Sequence, residues 1–153
     1  MKKIIVLILL ILLSCTKDER INYPIYSYTF NQTELDVMQV TNDYRTSIGL
    51  NTLTPVQHFG YLCQQHNQYM ITTHIISHDF FSERSNNIIN TFHATNVGEV
   101  IAYNYTTPTS VLQAWLNSTE HKQIIEGNYT HFGISIREDS NGRKYYTFIF
   151  AKI

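Results

Sequence analysis

Apolar residues follow three different rhythms along the chain. Residues 4–13 are an unbroken run of Ile, Val and Leu, too short for a helix across hydrocarbon, which takes roughly 20 residues. From Thr33-Glu34 the rhythm becomes helical. Leu35, Met38, Arg45 and Ile48 trace one face, Val37, Val40 and Tyr44 widen it, and Gly49 is the natural stop. Pro55 suits the first turn of a second helix carrying Phe59, Leu62, Cys63, His66, Tyr69 and Met70. Residues 77–81 read as a loop, and 82–96 hold a short helix around Ile88, Ile89 and Phe92. Residues 97–102 are strand-like but broken by Gly98. Thr109 or Ser110 caps a third helix through Val111, Leu112, Trp115 and Leu116, and Ser118 or Thr119 caps a further turn through Ile125. The end alternates: 131–137 and 144–153 flank Asn141-Gly142, a strong hairpin signal. Helices followed by a terminal hairpin predict an α+β domain in which helices cover a small antiparallel sheet.

The N-terminal run changes meaning with its flanks. Lys2 and Lys3 precede it and Leu12-Leu13-Ser14-Cys15 follows. Charge, apolar stretch and small residue have the order of a secretory signal peptide. The last four residues resemble the lipobox cut by bacterial lipoprotein signal peptidase. That resemblance implies a leader over 1–14 and lipid, such as palmitate, on Cys15, with the membrane as a partner through that lipid. Several acyl chains make a durable anchor. Residues 15–32 then form a lipidated tether and an arm whose Tyr23, Tyr26, Tyr28 and Phe30 are too aromatic to stay unpacked. The remaining 33–153 make one domain.

Composition adds little beyond this. The 153 residues are 43% apolar, enough for a core, and the net charge is −1, or −3 without Lys2 and Lys3. No basic cluster points to nucleic acid. With Cys15 acylated, Cys63 is left alone, so the mature chain has no intramolecular disulfide. On a helix such a cysteine acts as a small buried hydrophobe.

Six strings, in order, resemble the CAP superfamily of cysteine-rich secretory, antigen 5 and pathogenesis-related (SCP-like) proteins, its bacterial branch above all. They are Asn42-Asp43-Tyr44-Arg45 with Gly49-Leu50, then Gln65-His66-Asn67-Gln68-Tyr69-Met70, then Ser77-His78-Asp79-Phe80-Phe81 with Arg84. Next come Val97-Gly98-Glu99-Val100-Ile101-Ala102, Ala114-Trp115-Leu116-Asn117-Ser118 with His121-Lys122, and Tyr129 to Ile136 with the closing Phe148-Ile149-Phe150-Ala151. The resemblance implies a three-layer α-β-α sandwich with a central groove. Eukaryotic members line that groove with two His and two Glu. His78 matches the first His and Glu99 the signature Glu, whereas Ser118 stands where the second Glu would be, and the second His has no match. His121 is the residue that can stand in nearby. The family's acidic tetrad is therefore incomplete.

These residues define the candidate site: His78, Glu99, His121 and Ser118, with catalytic roles unassigned. His78, Glu99 and His121 could form a His₂Glu set for a divalent ion such as zinc, or Glu99 could bridge the histidines and hold loops over the sheet. No other cofactor is implied. His66 faces the apolar side of its helix and reads as a satisfied core histidine; Trp115 reads as core packing. The expectation is a monomeric, lipid-anchored protein of the bacterial cell envelope with a CAP-type binding or interaction domain. A lipid, a sterol or a host protein is its candidate ligand. The alternative is a metal-dependent, peptidase-like hydrolase using the same groove.

Overall fold

The computed structural model describes residues 23–153; the expected leader, Cys15 and the first part of the expected tether lie outside the described residues. An extended arm enters helix α1 (Gln32–Ser47). Asn31 caps it, accepting from Glu34 N while Asn31 N donates to the Glu34 carboxylate. The helix starts earlier than expected because Asn31-x-x-Glu34 is a complete capping box. Gly49, at φ 82°, follows the helix end as predicted.

Pro55 does not open a helix. Thr54–Pro55 form β1, a two-residue strand, and α2 (Gln57–Thr73) begins beyond it. Proline has no N–H to give a ladder, so its place on the short strand at the sheet's edge is one it tolerates. Helix α3 (Phe81–Phe92) is longer than the sequence suggested. After β2 (Asn96–Tyr103), α4 (Pro108–Leu116) is capped by Thr107 with Pro108 in its first turn, ahead of the expected Thr109 or Ser110. Ser118 occupies the N-cap of α5 (Thr119–Ile125), although its hydroxyl makes no capping bond. Strands β3 (His131–Glu138) and β4 (Lys144–Lys152) close the chain as the predicted hairpin.

The sheet order is β1-β3-β4-β2. The three long strands are antiparallel, and β1 adds a parallel pairing to β3. Alternate residues face opposite layers. Val100, Phe132, Ile134, Phe148 and Phe150 meet Val37 and Met38 of α1 and Val111 and Trp115 of α4. On the other face Ile149 and Ala151 meet Phe59, Leu62 and Cys63 of α2 and Ile88 of α3. The result is an α-β-α sandwich. Trp115 is buried as core, and its indole N–H donates to the Ile101 carbonyl on β2, the outer strand beyond β4.

Helix α2 lies unusually close to β3. A Cβ on Gly133 would sit 2.5 Å from Phe59 Cβ and 2.8 Å from Gly60 N, so only glycine fits. That approach lets the Cys63 thiol donate to the Gly133 carbonyl. Burial pushes this thiol well above its usual pKa, consistent with a packing role. Among the described residues no helix is long and apolar enough to cross a membrane.

Candidate functional site

Glu99 sits on β2 facing the α2–α3 layer, and it is buried. A lone carboxylate there would be costly, so its partners are the key to the site. Arg84, from the first turns of α3, grips it with two bonds: Nε to Oε2 at 2.7 Å and an Nη to Oε1 at 2.8 Å. The other Nη donates to the Asp79 carbonyl at 2.8 Å, so one guanidinium ties β2 to the loop before α3. His78, on that loop, donates from Nδ1 to Glu99 Oε1 at 2.9 Å. Burial alone would raise the Glu99 carboxyl. The bonds from His78 and Arg84, with the guanidinium charge, outweigh burial and hold it below the usual range.

His66 lies behind this pair on α2, with Nδ1 4.0 Å from Glu99 Oε2 and 3.1 Å from Thr147 Oγ1. Thr147 donates to Asn67 Oδ1 at 2.7 Å, and Asn67 donates to the Ser135 carbonyl at 2.7 Å. Tyr28 from the arm bonds Ser135 Oγ and Glu34 Oε1. A buried polar row thus runs beneath α2 from Glu99 to the cap of α1. Burial and the Arg84 charge lower His66 to about 4, against weaker pulls from Glu99 and the Ser77 backbone. The ring is neutral at physiological pH.

The remaining candidates lie to one side. His121 and Ser118 line a cavity of about 350 Å³ beside the outer edge of β2, with Tyr103, Tyr105 and Trp115. Burial lowers the His121 pKa, and the charge of His78 lowers it further, so the two histidines share a field. No hydrogen bond joins Ser118 to His121. Glu99 and His78 therefore meet directly, while His121 is linked to His78 only through its field and Ser118 lines the cavity beside His121.

Among the described residues no three His, Cys, Asp or Glu side chains are placed to hold a metal ion. Both Glu99 oxygens accept from the Arg84 guanidinium, which leaves Glu99 a poor ligand. Arg84 was visible in the sequence only as part of a string, with nothing local to mark it as Glu99's partner. His66 was expected to be satisfied. Its Nδ1 is, but its buried Nε2 has no hydrogen-bond partner.

Comparison with known proteins agrees with this architecture. Residues 38–150 match the family model for CAP, the cysteine-rich secretory protein family. The uncharacterized membrane protein YlbC of Bacillus subtilis (strain 168) is 30% identical over 126 residues, covering 78% of this chain and 34% of YlbC. The chain thus spans about a third of that relative. An outer surface protein of Borrelia burgdorferi superposes with a TM-score of 0.70 at 16% identity, covering 83% of this chain and 98% of that one. An extracellular SCP-domain protein of Bacillus anthracis str. Ames gives 0.68 at 23% identity, over 79% and 40%. The fold, the motif order and the family match all agree: this chain belongs to the CAP, or cysteine-rich secretory protein, family.

Proposed function

We propose that the protein is a lipid-anchored, extracytoplasmic binding module whose working surface is the groove around His78, Glu99 and His121. The observation that carries the groove reading is the state of His78. Glu99 fixes its Nδ1–H, and its side chain is 45% exposed. With Nδ1 so held, the half-exposed ring presents Nε2 as an oriented polar group on a rigid base. Nothing there has the form of an activated nucleophile: Ser118 lacks a bonded base, and Glu99 is tied up by Arg84. Such an arrangement suits recognition better than bond cleavage.

The anchor reading rests on Leu12-Leu13-Ser14-Cys15 after an apolar run, and on an envelope setting matched by the membrane and outer-surface relatives. Two measurements test the proposal. Labelled palmitate should enter the wild-type chain in a bacterial host and not the Cys15→Ala variant; an unlabelled wild type removes the anchor. Zinc titrated into the full chain should bind no better than a His78→Ala/His121→Ala variant. Micromolar binding lost in that variant would instead bring forward the metal-assisted hydrolase.

A further inference from the structure

A second cavity, of about 210 Å³, opens between the later turns of α2 and the start of α3, with Leu62, Tyr69, Phe80 and the buried His66 and Arg84 in its walls. It is separate from the Ser118–His121 cavity. An apolar cavity of about 150 Å³ accommodates benzene, so this one is sized for a single ring bearing one or two small substituents. Tyr69 and Phe80 meet edge to face at 5.3 Å, a pairing a third ring can extend.

His66 supplies the polar requirement, and its proton can be placed. Asn67 is oriented by its bond to the Ser135 carbonyl, so its Oδ1 faces Thr147 and takes the hydroxyl proton. Thr147 Oγ1 can then only accept from His66, which puts the ring proton on Nδ1. Nε2 is left as a bare lone pair, buried and unpartnered. The neutral ring has no second proton to give the Ser77 backbone. An unfilled acceptor beside an apolar cavity selects a ligand with one donor. Nε2 is shielded from solvent, so one wall must shift to admit that donor. Phe80 is the exposed aromatic wall, at 57%.

We infer that this cavity is a binding site for a small phenol, its ring against Tyr69 and Phe80 and its hydroxyl donating to His66 Nε2. The test uses two probes of equal shape, p-cresol and p-xylene, titrated into the full chain and followed by NMR. p-Cresol should bind about tenfold more tightly, the factor that one net hydrogen bond supplies. It should perturb Leu62, Tyr69, Phe80 and the His66 imidazole nitrogen. Simple partitioning into apolar surface would favour p-xylene. His66→Phe should erase the preference. Because that change also removes the bond to Thr147, Phe80→Ala is the companion variant: it leaves the buried row intact and should weaken both probes. Equal or reversed affinities in the wild type, or perturbations away from these residues, would overturn the assignment. Neither zinc binding nor the palmitate label bears on it.

Discussion

The two faces of the sheet are built from different materials. Toward α1 and α4 the sheet presents Phe132, Ile134, Phe148 and Phe150, which with Trp115 and Tyr146 form a continuous aromatic and aliphatic core. Toward α2 and α3 it sets Glu99, Ser135 and Thr147 among the apolar Ile149 and Ala151, and the three polar side chains are buried and bonded to α3, to the arm and to α2 respectively. The first face gains stability from area and shape, which many apolar sequences can supply. The second gains less per group but fixes one arrangement, because a misplaced partner leaves a buried charge or dipole exposed to nothing. Every candidate for chemistry except Ser118 and His121 is on or against the second face.

This contrast can be broken on either side. Phe148→Ala should cost about 4 kcal/mol in urea unfolding, with no dependence on pH between 4 and 8. Arg84→Met should cost a similar amount, about 4 kcal/mol at neutral pH, because it leaves Glu99 buried without its countercharge. Its carboxyl then rises, so the deficit shrinks as acid protonates it. A loss in Arg84→Met as flat with pH as that of Phe148→Ala would erase the distinction between the faces.

Acid should find the polar face in the wild type as well. The unfolded His66 ring takes a proton near 6.5, whereas the folded ring resists until about 4. Stability present above 6.5 therefore falls by about 3 kcal/mol as pH drops through that window. The lowered Glu99 carboxyl acts the same way below it, its contribution being lost as pH falls under the usual carboxylate value. His66→Phe should flatten the upper part of the profile, read from unfolding midpoints at successive pH values. Gly133→Ala should cost about 2 kcal/mol by pushing α2 off β3, and should also shift the Thr147 and Asn67 resonances. Cys63→Ser is the gentlest probe, at about 1 kcal/mol, since a hydroxyl keeps the bond to Gly133.

Local signals were legible and paired ones were not. Asn141-Gly142 specifies its hairpin by itself, and the periodicity of α1 and α2 needs no partner. Asn31-x-x-Glu34 and Thr107-Pro108 were equally local and mark the true helix starts. Strand β1 is different: two residues become a strand only because His131 and Phe132 lie alongside, far off in sequence. The site divides in the same way. His78 and Glu99 stood out through the family's motifs. Arg84 could not, because a guanidinium gains meaning from the carboxylate it reaches, and that depends on the α3–β2 packing. The metal expectation lacked the same partner: the residue types fitted zinc, but that Arg84 reaches both Glu99 oxygens is a matter of packing that its place in the sequence does not show.

The extended arm has a mechanical consequence. Chain entering at Tyr23 passes Tyr26, stacked on Tyr61, then Tyr28, whose ring rests where a side chain at Gly60 would be and whose hydroxyl is pinned to Ser135 and Glu34. Tension applied ahead of Tyr23 loads these contacts before it reaches α1. Tyr26, stacked on Tyr61 and with its N–H on His58 Nδ1, meets the load first, and the Tyr28 lock next, joined to β3 through Ser135 and to α1 through Glu34. A pull on the arm is thus shared between the sheet, through Ser135, and the capped first turn of α1, through Glu34, instead of falling on the helix end alone.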